Sequence, residues 1–271
     1  MAEKGPKAKA LAGGTDILVQ LRAGRYKIDR LVDVKKIPEM NELSYTKKDG
    51  LTLGAAVQCY RVYEDEDVAK VFPGLLDSAF LIGGIQIQGR ATIGGNLCNA
   101  APSADAIPSL IALGATANIV GPEGSRSVAA EEFCTGPGQN VLKDGELLVS
   151  ISIPTPEPNA ASHYLRFIPR NEMDIAVVGV AAAVLVSNGK IDSARIALAS
   201  VAPTPVFAKA AGDLLKGKAA DEASIELASE EAKKAAKPIT DMRGTIEQRV
   251  HLVGVLTKRV LREAVERAKR E

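Results

Sequence analysis

Apolar positions along this chain come in short runs that end at glycine or proline, and two of those endings are glycine pairs. The first run closes on Ala12-Gly13-Gly14-Thr15-Asp16, and the apolar residues that resume at 17–22 predict a helix opening at the loop. Residues 30–34 and 50–54 read as short strands, residues 60–71 carry a helical pattern, and 146–153 form a strand that Pro154 stops. Past the proline-rich 154–159, residues 175–186 and 191–200 read as strands joined by Ser187-Asn188-Gly189-Lys190, where Asn-Gly signals a hairpin. From Pro205 the chain is rich in Ala, Glu and Lys and reads as helices, the last over 245–268. There Ile246, Val250, Val253, Leu256, Val260 and Leu261 recur at helical spacing and are expected to pack on the hairpin. This order predicts an α+β fold in three parts: α/β lobes over 1–57 and 58–157, then an antiparallel sheet with helices over 158–271.

The second glycine pair, Thr92-Ile93-Gly94-Gly95-Asn96, lies in a polar stretch that continues through Asn99 to Asp105. Glycines without side chains let successive N–H groups turn toward one point, and such a loop cradles a diphosphate without needing a lysine. A single glycine pair is most simply a polar turn. Two of them, each with a hydroxyl residue beside it, point to a dinucleotide held between two lobes, with side chains available for ribityl hydroxyls or ring edges.

Composition narrows the alternatives. A net charge of +1 gives no electrostatic reason to expect nucleic acid or an anionic membrane as partner. Residues 175–186 are the longest apolar stretch and too short to span a bilayer; the N-terminus is basic without an apolar run after it, so a cytoplasmic location is expected. Cys59, Cys98 and Cys134 form no C-x-x-C, which argues against a disulfide framework or a cysteine-ligated cluster. His163 and His251, the only histidines, lie too far apart in sequence to suggest a metal site or catalytic pair, and are expected to be surface or capping residues. Cys98 reads as a small filler. Asp174 either caps a turn or meets a ligand; Tyr164 and Phe167 either shield a ring or belong to the core. The basic end of the last helix reads as a solvated face.

Residues Thr92 to Asp105 with Ala106-Ile107-Pro108 after them, the loop Ala12 to Asp16, Arg166-Phe167 and Asp174-Ile175-Ala176 together resemble the FAD-binding medium subunit of molybdenum hydroxylases. Pro238 to Gly244 and His251 to Leu256 resemble that family's C-terminal domain, so the likeness runs in order along nearly the whole chain. The resemblance implies an oxidoreductase subunit with FAD, bound non-covalently, whose diphosphate rests between Ala12, Gly13, Gly14, Thr15 and Asp16 on one side and Thr92, Gly94, Gly95 and Asn96 on the other. It further implies that Asn99 and Asp105 reach ribose, ribityl or neighbouring polar atoms, and that Leu148 and Arg166 lie beside the flavin. Most members of the family the chain resembles carry lysine where Arg166 stands, and a cation there would favour the anionic reduced ring. Electrons would reach the flavin from [2Fe–2S] clusters in a small subunit, fed by a molybdenum cofactor in a large subunit, and leave to NAD, a quinone or another acceptor. Two other readings remain: a stand-alone FAD oxidoreductase of the wider two-lobed group, and an interaction subunit that has lost its flavin.

Overall fold

The computed structural model describes residues 1–171 and 173–270. In the first lobe β1 (Ala8–Leu11) and β2 (Arg30–Asp33) pair in parallel, and the crossover that a parallel pair requires carries α1 (Ile17–Arg22). No residue of α1 is buried.

The second lobe runs through β3 (Leu43–Thr46), β4 (Gly50–Gly54), α2 (Cys59–Glu64), α3 (Glu66–Val71), α4 (Pro73–Ala79), α5 (Ile85–Gln88), α6 (Ile93–Asn99) and α7 (Ala106–Ala112). It continues through β5 (Thr116–Gly121), β6 (Gly124–Ala129), α8 (Ala130–Phe133), β7 (Cys134–Gly136), β8 (Gln139–Asn140) and β9 (Leu147–Ile153). One antiparallel sheet, ordered β3-β4-β9-β5-β6, forms its wall. Strand alternation sorts its residues. Leu51, Leu53, Ala117, Ile119, Ile151 and Ile153 turn inward onto Phe72, Leu75, Ile93, Leu97 and Leu110. On the other face Asn118 donates to Ser150 and Ser152. β3 and β4, which the sequence groups with the first 57 residues, thus share a sheet with β9. The helical pattern at 60–71 is interrupted: Asp65 adopts extended backbone and its carboxylate accepts from Val68 N–H at 3.0 Å. A side chain that caps a new helix ends the old one.

The third part contains β10 (Ala160–Phe167), β11 (Val178–Ser187), β12 (Lys190–Ala199), β13 (Val206–Phe207), α9 (Lys209–Leu215), α10 (Glu222–Ala235) and α11 (Ile246–Arg270). Its four strands pair in sequence order, all antiparallel. Asn188 (φ 51°) and Gly189 (φ 74°) make the tight turn their sequence foretells. β13 is an addition to the helices expected after Pro205; it holds Phe207 under the Arg195 guanidinium, 4.2 Å from the ring centroid. β11 is apolar without alternation because both faces are covered. Val178, Val180, Ala182 and Val184 pack with α11, whereas Ala181 meets Tyr164 and Ala112 of α7.

That second face is the seam between the parts. Asp77 of α4 receives Arg267 Nη1 at 2.8 Å and lies 2.6 Å from His163 Nδ1, and Arg267 also donates to the Ser162 carbonyl. His163 is therefore not a surface histidine. It is 12% exposed and part of an ion cluster joining β10, α11 and α4, a proximity that no local pattern encodes. His251 is exposed, as expected.

Candidate functional site

Both glycine loops connect an extended segment to a short helix, and each glycine is required for its own reason. Gly14 sits at φ 81°, which an L side chain adopts only with strain. A Cβ on Gly13 would stand 2.1 Å from the Arg90 carbonyl oxygen, so the first loop lies directly on the segment leading into the second. A Cβ on Gly94 would stand 2.5 Å from Ala55 Cα, packing the second loop against the residue after β4. A Cβ on Gly95 would meet only the Thr92 hydroxyl, at 2.8 Å; that hydroxyl accepts the Gly95 N–H and caps α6.

Along the facing loops, the amides of residues 13–17 and of Ile93 and Gly94 find no acceptor among the described residues. Backbone donors in such a position require a partner from outside the chain. They open onto a cleft of about 290 Å³. Of the residues singled out in the sequence, Ala12, Gly13, Gly14, Thr15, Asp16, Thr92, Gly94, Gly95, Asn96, Asn99 and Leu148 line this cleft. Burial raises the Asp16 carboxyl above its ordinary value.

Asp105 and Arg166 do not line it; they are bound to each other. Arg166 Nη1 donates to Asp105 Oδ2 at 2.7 Å and the Tyr164 hydroxyl donates to Oδ1 at 2.8 Å. Burial drives Asp105 up to about 6, against the pull of Arg166 and Tyr164. The pair stands behind the second loop, since the N–H of neighbouring Ala106 donates to Asn96 Oδ1 at 3.2 Å. The buried Nε of Arg166 finds no acceptor among the described residues. Tyr164 is thus core, half of the alternative posed for it. Asp174 is a local cap: its carboxylate accepts the Ile175 N–H and pairs with Arg170.

The cleft also draws on residues that carry no motif. Lys9, over the Tyr26 ring at 5.4 Å, enters from β1. Gln20 reaches in from α1, and Asn140 and residues 142–147 close one side. Asp144-Gly145 is legible as a turn, but nothing local says which surface the turn faces. Glu146, although in the wall, is committed to Arg126, whose hydrogen bonds take its carboxyl down to about 2. Cys98 also lines the cleft; burial pushes its thiol up to about 12, so it stays protonated at neutral pH. Among the described residues no group of three or more His, Cys, Asp or Glu is placed to hold a metal ion, and no helix is long and apolar enough to cross a membrane.

This donor set of amides, a hydroxyl at Thr15 and the cations Lys9 and Lys143 suits an elongated anion with apolar ends. Comparison with known proteins gives the same direction. Residues 1–156 match the FAD binding domain in molybdopterin dehydrogenase, and residues 163–264 match the CO dehydrogenase flavoprotein C-terminal domain. The chain is 33% identical to a xanthine dehydrogenase FAD-binding subunit of Escherichia coli O157:H7, over 96% of this chain and 89% of that one. It is 32% identical to the carbon monoxide dehydrogenase medium chain of Afipia carboxidovorans, over 99% and 91%. Among solved structures, CO dehydrogenase from Oligotropha carboxidovorans superposes with a TM-score of 0.94 at 31% identity, covering 98% of this chain and 92% of that chain. Quinoline 2-oxidoreductase from Pseudomonas putida 86 gives 0.90 at 32%, covering 97% and 91%.

Proposed function

Because the chain belongs to the family of FAD-binding medium subunits of molybdenum hydroxylases, we propose that it relays electrons from [2Fe–2S] clusters of a small partner subunit, through FAD, to an external acceptor. It is an oxidoreductase subunit that binds FAD; the molybdenum cofactor and the iron–sulfur clusters belong to its large and small partners. The acceptor is NAD, a quinone or another carrier, and the site of action is the cytoplasm.

The observation that carries the reading is the pair of facing loops with unpartnered amides. Their backbone donors hold a diphosphate, and Gly13 and Gly94 let the loops approach closely enough to do so. Lys9 and Lys143 supply positive charge at the same cleft, and Leu148 supplies an apolar surface. Bound there, FAD exchanges electrons singly on one side and in pairs on the other. Ala106 N–H, next to Asp105, supports Asn96 from behind, and the opposite charges of Asp105 and Arg166 balance. No histidine lines the cleft among the described residues, and the flavin is held without a covalent bond.

The test is reconstitution. The purified chain should take up a single FAD that heat or acid releases, and should pass electrons between a reduced carrier and an artificial dye. Substrate-dependent bleaching of the flavin absorbance should appear only after the molybdenum and iron–sulfur subunits are added. Substrate oxidation by the isolated chain overturns the relay and leaves the stand-alone flavoenzyme.

A further inference from the structure

α1 forms one edge of the cleft through Ile17 and Gln20. It buries none of its residues; Leu18 and Val19 are exposed. Among the described residues its one side-chain hydrogen bond to the rest of the chain is Gln20 Nε2 to Asn99 Oδ1, 3.0 Å, across 79 positions of sequence. Asn99 ends α6, the helix that opens at the second glycine loop. That helix is anchored at both ends. Thr92 caps its start, and at its close the Cys98 carbonyl accepts from Asn140 Nδ2 at 2.7 Å while the Ala100 carbonyl accepts from Gly138 N–H at 3.0 Å. Both partners of the Gln20–Asn99 bond lie in the cleft wall.

Resting on the FAD reading above, we propose that Gln20 and Asn99 form a clasp that sets the first arc of amides in register with the second. Gln20 is a positioning residue. A ligand that spans both loops binds best when their separation is fixed beforehand, because the cost of ordering α1 has already been met. The bond spends the Asn99 carbonyl oxygen on Gln20, so Asn99 acts on the ligand chiefly by placing α1. The sequence reading, which sends Asn99 directly to ribose or ribityl atoms, gives it a different task.

A double-mutant cycle in the full chain, with FAD affinity read by flavin fluorescence, decides between these roles. The clasp requires Q20A and N99A each to raise the Kd for FAD about 3- to 10-fold, the worth of a partly buried neutral hydrogen bond. It also requires the double variant to be no worse than the poorer single, since both changes break the same bond. The melting temperature of the FAD-free chain should stay within a few degrees for Q20A, α1 having no buried side chain to lose. Additive losses mean two independent ligands and overturn the clasp, as does an unchanged Kd in both singles while the unaltered chain binds FAD. An unaltered chain that binds no FAD removes the FAD reading itself, and the clasp with it.

Discussion

At the scale of single residues, the glycine pairs are two kinds of position that look alike in sequence. Gly13 is a packing glycine: any side chain there collides with the Arg90 backbone, 2.1 Å from an ideal Cβ. Gly13→Ala must displace one loop from the other, at about 1–3 kcal/mol of overpacking, and should lower both the melting temperature and FAD affinity. Gly95 is a surface glycine of the cleft, where a side chain meets only the Thr92 hydroxyl. Gly95→Val should therefore cost about 1 kcal/mol through the disturbed cap and abolish FAD binding in a chain that remains folded by circular dichroism. Retained flavin in Gly95→Val would refute the cradle. Gly189→Val, in the hairpin turn at φ 74°, is the matching control and should cost stability without touching FAD. Spacing marks all these glycines; which of them faces ligand and which faces backbone is a matter of neighbours far along the chain.

Among the elements, legibility follows how much of each one's stability is local. α11 was readable from its apolar spacing, and β11–β12 from the Asn-Gly turn. What fastens α11 was not. Arg249, 4% exposed, donates to the Val177 and Ser200 carbonyls at 2.7 and 2.9 Å and to Asp241 at 2.7 Å, tying the helix to both strands and to the loop before it. An arginine among the polar positions of a helix reads as solvated, yet this one satisfies two carbonyls that strand pairing leaves open. Arg249→Met should cost about 3 kcal/mol, because the Val177 and Ser200 carbonyls and the half-exposed Asp241 carboxylate all lose their donor. Denaturant unfolding should show that loss while Kd for FAD at low denaturant stays near the unaltered value. The broken helix at 60–71 teaches the converse: apolar spacing continues across Asp65, and only the capping geometry shows that one helix has become two.

For the whole molecule, the seam between lobes and C-terminal sheet rests on two carboxylates that meet β10, buried Asp105 and half-buried Asp77. Burial pushes the Asp77 carboxyl up, but hydrogen bonds from His163 and Arg267 outweigh it and leave it below its ordinary value of 3.8. A folded-state value under the unfolded one means that the contribution is complete above about pH 4 and is lost as pH falls through the lowered value. Asp77→Asn should accordingly destabilise the chain by roughly 2 kcal/mol at neutral pH. It should also flatten the fall in stability below about pH 4. Thermal melts from pH 3 to 7 test this, and an acid limb equally steep in Asp77→Asn would count against the seam cluster.

The sequence by itself determined the two loops, the C-terminal hairpin, the last helix and the family, because turn chemistry, periodicity and glycine spacing are local properties written in consecutive residues. Tertiary structure alone decided that β3 and β4 join β9, that His163 pairs with Asp77, that Asp105 is held by Arg166 and Tyr164 behind the cleft, and that Gln20 meets Asn99. Each of these is a contact between residues scores of positions apart. Its partner is selected by the packing of whole elements, so nothing in the neighbouring sequence names it.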